Sequence, residues 1–201
     1  RRIGYVAQNP DLQIFNSTVE DEVAFALRHL GRPAAEIEER VEACLLAMGL
    51  SDARKLHPLS LPRGHRARVI IAAVLAMQPE TLIFDEPTIG QDHAGARRIL
   101  DMTLELHRQG KTIIVVTHHL YLMPGYAERV VVMGEGSVLL DAPIRTAFHD
   151  VEALSRTHLS PPQAVLLARE LSRPGEPGFP LLTPDELAAC FGAGREKRAT
   201  P

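Results

Sequence analysis

Tryptophan is absent from this 201-residue chain, and aromatic residues make up only 4% of it. Cysteine is scarce as well. The chain has two, Cys44 and Cys190, which lie far apart and form no Cys-x-x-Cys pair. Such cysteines indicate neither a disulfide framework nor a zinc knuckle, and they fit a reducing compartment. The chain also lacks a run of about 18 apolar residues, which a membrane-spanning helix requires. We therefore expect a protein that does not itself cross a membrane.

A strong charge of either sign is missing too. Lys and Arg number 22 against 25 Asp and Glu, which gives a formal net charge of −3. Nucleic-acid binding depends on clustered Lys and Arg that neutralise phosphates, so we expect no nucleic-acid partner. The 45% hydrophobic and 23% charged residues are typical of a globular chain with one sizeable core.

The first residues lack an initiator methionine and a leading loop. Arg1 and Arg2 run directly into a short apolar segment at residues 3–7, which predicts a strand. This beginning is typical of a fragment, so we expect a longer natural protein.

Helical patterns follow between residues 17 and 79. Ser17 and Glu20 have the spacing of a capping box, and apolar positions on one helical face follow them. A second amphipathic segment stops at Gly49, a residue type that favours a left-handed cap, and a third begins near Pro62. The acidic run Glu-Asp-Glu at 20–22 is expected to be a solvated face.

Short apolar runs replace this pattern from residue 81 onward. The runs at 82–84, 113–116 and 130–132 are typical of buried parallel strands, and helical stretches separate them. Strands that alternate with helices predict a layered α/β core, whose functional groups lie at the carboxyl ends of the strands. The proline-rich remainder, 150–201, is predicted to be a C-terminal appendage.

Two adjacent carboxylates, Asp85 and Glu86, follow the apolar run at 82–84. One carboxylate can hold a Mg²⁺ water shell against nucleotide phosphates, and the next can polarise an attacking water. An acidic turn after a strand is common by itself. The complete motif Leu-Ile-Phe-Asp-Glu-Pro-Thr is much more specific.

This motif resembles the Walker B strand of the ATP-binding-cassette (ABC) ATPases, which ends in Asp-Glu-Pro-Thr. The resemblance implies an α/β fold with a P-loop NTPase-like parallel-sheet core, an α-helical subdomain and a C-terminal appendage. It also implies four parts. These are the Q-loop strand and loop of the core (1–16), the helical subdomain with the signature segment (17–79), the remaining ATPase core (80–149) and the appendage (150–201).

Three further residues match family motifs in the same order. Gln8 resembles the Q-loop glutamine, Asp92 the D-loop aspartate and His118 the switch histidine. The resemblance implies ATP and Mg²⁺ as ligands, with Gln8, Asp85 and Asp92 on the nucleotide. It assigns the metal, through water, to Asp85 and Gln8. Glu86 and His118 are the catalytic residues, as general base and γ-phosphate contact.

The signature segment departs from the family pattern. In that family a Leu-Ser-Gly-Gly-Gln loop opens a helix and presents amides and a serine hydroxyl to ATP on the opposite subunit. Here Leu61 is followed by Pro62, Arg63, Gly64 and His65. Proline removes the hydroxyl and an amide donor, whereas Arg63 adds a cation. The resemblance implies that residues 63–65 bind nucleotide weakly, and an ordinary helix start without a ligand remains the alternative.

A phosphate loop, G-x-x-x-x-G-K-[ST] between a strand and a helix, does not occur in the sequence. The Gly-Lys-Thr at 110–112 has Glu105 in place of the first glycine and precedes a predicted strand. We interpret it as a turn. The chain alone is therefore expected to bind ATP poorly and to be inactive.

The segments at 8–15 and 18–25 are similar to the energy-coupling-factor branch of the family. That branch implies a peripheral subunit on the cytoplasmic face of the plasma membrane, which drives uptake of a vitamin, a vitamin precursor or a transition-metal ion. Its implied partners are a second ABC ATPase subunit and a transmembrane coupling subunit.

Two alternatives stay open. One is a truncated or degenerate cassette that docks on the coupling subunit without hydrolysing ATP, which Pro62 and the missing loop favour. The other is a cassette ATPase of DNA repair or translation, which the lack of a basic charge excess and the resemblance to a membrane-facing loop disfavour.

Overall fold

The computed structural model describes residues 2–172 and 181–196. The chain divides into two compact units, the first ending at Thr117 and the second beginning at His118. Residues 173–180 and 197–201 of the predicted appendage lie outside the described residues. The four-part division at 16, 79 and 149 stays a prediction.

The first unit combines a small sheet with helices. Its order is β1 (Ile3–Val6), α1 (Val19–His29), α2 (Ala34–Met48), α3 (Arg63–Ala76), β2 (Thr81–Asp85), α4 (His93–Arg108) and β3 (Thr112–Val116). The strands are parallel in the order β1-β2-β3, with Val6 opposite Phe84 and Phe84 opposite Val115. The predicted α/β fold with a parallel-sheet core is confirmed.

One face of this sheet carries the core of the first unit. Val6, Leu82 and Phe84 are at most 2% exposed and pack in the same cluster as α1, α2 and α3. Side chains alternate between the faces of a strand, so their neighbours point the other way. Four apolar side chains of that second face are between 46% and 63% exposed: Ile3, Tyr5, Ile114 and Val116. Parallel sheets normally have both faces covered, but no helix of residues 2–172 and 181–196 covers this face.

The helix ends largely follow the sequence signals. Thr18, and not Ser17, caps α1: its Oγ1 accepts a hydrogen bond from the Asp21 amide at 3.1 Å. The predicted capping box is thus displaced by one residue, because two adjacent hydroxyl residues offer equivalent caps. Helix α2 ends at Gly49 with a left-handed φ of 64°, as predicted.

The acidic run of α1 is not the solvated face that its sequence predicts. Glu22 is only 4% exposed, and its Oε2 accepts hydrogen bonds from the amides of Phe15 at 3.0 Å and Asn16 at 2.8 Å. A buried carboxylate is tolerated when amides satisfy it. Glu22 therefore fixes the end of the loop that follows β1.

The second unit is built from a hairpin and short helices. Its order is β4 (Arg129–Gly134), β5 (Ser137–Pro143), α5 (Ile144–His149), α6 (Val151–Ser155), α7 (Gln163–Leu171) and α8 (Pro184–Glu196). Strands β4 and β5 are antiparallel, so the interpretation of residues 130–132 as a parallel strand is wrong. Glu135 and Gly136 both have positive φ, which suits a tight hairpin turn. Among the described helices none is long and apolar enough to span a bilayer.

Helix α8 begins with a reciprocal capping box. The Glu186 amide donates to Thr183 Oγ1 at 3.1 Å, and Glu186 Oε2 accepts from the Leu182 amide at 2.6 Å. Arg145 of α5 also pairs with the Glu186 carboxylate. The Arg145 hydrogen bond, more than the backbone amides, lowers the pKa of Glu186 from 4.5 to about 2.

We predict that the contribution of Glu186 to stability disappears in acid. Its folded pKa of about 2 lies below the ordinary 4.5, so ionised Glu186 stabilises the fold above pH 4.5 and loses this effect as the pH falls towards 2. Urea denaturation of wild type and Glu186→Gln should give a difference in unfolding free energy that shrinks through this window. Asp185→Asn, on the exposed side of the same turn, is the control. A pH-independent difference would contradict the assignment.

Candidate functional site

The predicted site residues of the core lie at the carboxyl ends of the parallel strands. Asp85 is the last residue of β2, the central strand, and Glu86 follows it. Gln8 stands two residues beyond the end of β1, and Thr117 follows β3 directly. Because the strands are parallel, all of these groups belong to one edge of the sheet.

A tyrosine of the neighbouring strand holds Asp85. Tyr5 Oη donates a hydrogen bond to Asp85 Oδ2 at 2.9 Å. This bond, followed by burial and by the charge of Asp85, raises the pKa of Tyr5 above 10.0. The tyrosine therefore stays protonated and keeps its donor towards the carboxylate. Both side chains lie on the uncovered face of the sheet.

Glu86 turns sharply away from β2. Its φ of 47° is left-handed, a strained conformation for a residue with a side chain. Its amide donates to the Val116 carbonyl at 2.8 Å, and its Oε2 accepts from Thr117 Oγ1 at 3.0 Å. The strain is thus held by two bonds to the end of β3. These two bonds hold the Glu86 carboxylate next to the end of β3.

Gln8 and His118 are both exposed. The backbone just before Gln8 is fixed by Gln13, whose side chain accepts from the Ala7 amide at 2.9 Å and donates to the Tyr5 carbonyl at 3.3 Å. His118 is the residue after Thr117 and opens the second unit, where its ring contacts the tilted ring of His119 at 4.2 Å between centroids. The nucleotide roles of Gln8 and His118 stay predictions.

The predicted signature and D-loop residues form a second group. Arg63, Gly64 and His65 make the first turn of α3. Gln91 Nε2 donates to the Gly64 carbonyl at 3.0 Å, and a Cβ on Gly64 would lie 3.0 Å from Gln91 Oε1. Asp92 caps α4 by accepting from the Gly95 amide at 2.6 Å. The two loops therefore pack closely against each other.

His65 lies in a cationic environment. Burial, and then the charges of Arg68 and Arg98, lower its pKa below 6.5. Arg68 also donates to the Met48 carbonyl at 2.9 Å, at the end of α2. His65 is therefore neutral at pH 7 and presents one donor and one acceptor.

The turn at 110–112 has the geometry expected of a connection and not of a phosphate loop. Gly110 has a φ of 87°, and Thr112 begins β3. Lys111 Nζ donates to the Pro79 carbonyl at 2.8 Å, so its ammonium group is tied to backbone. The sequence interpretation of this motif as a turn is confirmed.

Three contacts of the site escaped the sequence interpretation: those made by Tyr5, Thr117 and Gln91. Tyr5 could have been found from the register, because it lies on the strand next to Asp85 and faces the same way. A threonine at the end of a strand beside a paired Asp-Glu is a weaker signal. No sequence signal indicates that the Gln91 amide reaches the start of α3.

An open parallel sheet with paired carboxylates at its carboxyl edge, joined to helices that carry a second polar loop, is the architecture of a P-loop NTPase-like α/β fold. The model of the ABC transporter family matches residues 1–89. The energy-coupling factor transporter ATP-binding protein EcfA2 of Latilactobacillus sakei is 41% identical over 195 residues, which are 95% of this chain and 67% of that protein. The chain belongs to the ABC transporter ATP-binding family.

Further similarities agree with this membership. An ABC transporter ATP-binding protein of Methanosarcina mazei is 44% identical over 96% of this chain, and the chain spans only 33% of that relative's length. Among solved structures, cbiO1 from Clostridium perfringens, part of the ABC transporter complex cbiONQ, has a TM-score of 0.68 and 35% identity. The match covers 84% of this chain and 67% of that one.

We predict that Gly64→Ala lowers the free energy of unfolding by about 1–2 kcal/mol, because the added Cβ would crowd Gln91 and the Gly90 carbonyl. Alanine is otherwise favoured over glycine in helices by about 1 kcal/mol, so a net loss is diagnostic of the crowding. Urea denaturation measures it, and the loss should shrink in a Gln91→Ala background. A stabilised Gly64→Ala protein would contradict the packing described here.

Proposed function

We propose that the chain is part of the ATP-hydrolysing subunit of an energy-coupling-factor ABC importer, which drives uptake of a vitamin, a vitamin precursor or a transition-metal ion. The observation that carries the proposal is the pair Asp85 and Glu86 at the end of the central strand. Each carboxylate is held by a separate hydroxyl donor, Tyr5 for the first and Thr117 for the second.

These separate supports suit separate roles. The donor on Oδ2 fixes Asp85 as a hydrogen-bonded carboxylate, suited to orienting water near a cation. Glu86 is directed towards the end of β3, where it acts as the general base that polarises the attacking water. His118, one residue beyond β3, contacts the γ-phosphate.

Magnesium accompanies ATP in this chemistry, and the donors present fit it. Asp85 and Gln8 offer carboxylate and amide oxygens, the ligand types that Mg²⁺ prefers, and they would hold it through water. The ion would supply charge neutralisation at the phosphates. Gln8 also lies in the loop that links the nucleotide site to the partner surface.

A second ABC ATPase subunit completes the site from the other side. Arg63, Gly64 and His65 open α3 and face the nucleotide held by that subunit. Asp92 supports this surface by capping α4 beside Gln91. With Pro62 in place of serine, the α3 start offers no side-chain hydroxyl, so the composite site is weakened.

The phosphate loop required for ATP binding is not encoded within these 201 residues. The exposed apolar face of β1-β2-β3 is a suitable place for the segment that carries this loop, because the side chains of Asp85 and Tyr5 lie on the same face. We propose that a strand, loop and helix carrying G-x-x-x-x-G-K-[ST] pack there, from a part of the gene product beyond this sequence. Without it, the chain alone is inactive.

The loop after β1 provides a docking surface for the transmembrane coupling subunit. Leu12 is 81% exposed and Phe15 is 64% exposed. Large apolar side chains with this exposure, on a loop fixed by Gln13 and Glu22, suit a pre-formed protein contact. The subunit would then be peripheral, on the cytoplasmic face of the plasma membrane.

A second candidate function is a non-catalytic cassette that only docks on the coupling subunit. Pro62 favours it, because α3 starts without a side-chain cap or a hydroxyl for a phosphate. This candidate has the same docking surface as the proposed enzyme, but it does not hydrolyse ATP.

We predict that Glu86→Gln in the complete gene product lowers the ATP hydrolysis rate by a factor of about 100 or more, the usual effect of losing a general base. Bound ATP should be retained, since the amide preserves shape and removes basicity. Phosphate release and filter binding measure the two quantities. Glu80→Gln, an exposed carboxylate at the other end of β2, is the matched control.

An unchanged hydrolysis rate in Glu86→Gln would contradict its role as general base. If the wild-type protein binds the coupling subunit but hydrolyses ATP no faster than background, the non-catalytic cassette is favoured over the enzyme.

A further inference from the structure

Arg66 connects two separate segments at the start of α3. Its Nη1 donates to Asp11 Oδ2 at 3.0 Å, its Nε to the Leu61 carbonyl at 2.8 Å and its Nη2 to the Leu59 carbonyl at 2.7 Å. The planar guanidinium group, with donors in a fixed fork, is the side chain suited to hold such partners in one geometry. Arg66 thus joins the loop after β1 to the chain that leads into the signature segment.

The first turn of α3 depends on such outside contacts. Pro62 stands at the N-cap position and gives no side-chain hydrogen bond, and it has no amide of its own. Helix starts normally gain stability and a defined position from a capping side chain. Here the position is set by Arg66 on one side and by Gln91, bonded to the Gly64 carbonyl, on the other.

The other end of the Arg66 connection lies on the proposed docking loop. Asp11 sits in a short 3-10 turn, Pro10–Leu12, between the buried Pro10 and the 81% exposed Leu12. Asn9 caps this turn by accepting from the Asp11 amide at 3.2 Å. A protein that binds Leu12 therefore contacts the turn whose carboxylate holds Arg66.

We propose that Arg66 is a positioning residue that ties the docking loop to the signature segment, so that the coupling subunit bound at Leu12 and Phe15 fixes the first turn of α3. The inference rests on the proposed function and deepens it. The Asp11–Arg66 pair is half-exposed and contributes little to stability by itself. Its effect is geometric, because it transmits contact with the partner to residues that face the second nucleotide.

The experiment compares ATP hydrolysis by the complete gene product with and without the purified coupling subunit in lipid vesicles. Asp11→Ala and Arg66→Ala should lower the stimulation by the coupling subunit about tenfold, a usual size for coupling between sites. Asp11→Glu retains the carboxylate and should restore most of the stimulation. The melting temperature of Asp11→Ala should match that of wild type, because the half-exposed pair contributes little to stability.

The matched control is Glu38→Ala in α2, which removes an ion pair in which Arg54 Nη2 donates to both carboxylate oxygens. It should leave the stimulation unchanged. Full stimulation in Asp11→Ala, or equal losses in Asp11→Ala and Glu38→Ala, would overturn the proposal. So would a loss in Asp11→Glu as large as that in Asp11→Ala.

A second readout does not require turnover. Hydrogen exchange at the amides of His65 and Arg66 should slow when the coupling subunit binds wild type, and this protection should be lost in Asp11→Ala. Equal protection in both proteins would overturn the connection. If wild type does not hydrolyse ATP but shows protection that Asp11→Ala lacks, the proposed enzymatic function is contradicted and the Arg66 connection is supported.

Discussion

Parallel pairing of β1, β2 and β3 is the constraint on which the candidate site depends. It brings the ends of three segments that are distant in sequence to one edge and sets Tyr5 beside Asp85. The same pairing places Thr117 next to Glu86 and allows the left-handed turn at Glu86 to be held by the end of β3. Two neighbouring carboxylates therefore receive different supports, which is the physical basis for different chemical roles.

A second constraint acts at the start of α3. The family's serine hydroxyl is absent, and contacts from elsewhere fix the segment instead. Gln91 holds Gly64 from the D-loop, whereas Arg66 links the segment to Asp11 in the loop after β1. The predicted signature segment is thus connected both to the loop after β2 and to the proposed partner surface. These contacts hold the first turn of α3, which has no side-chain cap.

Much of the fold followed from local patterns, because the strand runs and the glycine cap at Gly49 are governed by neighbours in sequence. The paired Asp85 and Glu86 were identifiable for the same reason. The predictions were wrong where contacts between residues distant in sequence determine the structure. The apolar run at 130–132 forms an antiparallel hairpin, and Glu22 is buried because two loop amides reach it. The contact between Arg66 and Asp11 could not be predicted, since it joins residues 55 positions apart.

Under the proposed function, Asp85 and Glu86 meet Mg²⁺ and ATP at the carboxyl edge of the parallel sheet. A crystal structure of the complete gene product with Mg²⁺ and a non-hydrolysable ATP analogue tests this arrangement most directly. We expect the metal beside the carboxylate of Asp85 and the terminal phosphate beside Glu86. A nucleotide bound away from the ends of β1, β2 and β3, with both carboxylates facing bulk solvent, would contradict it.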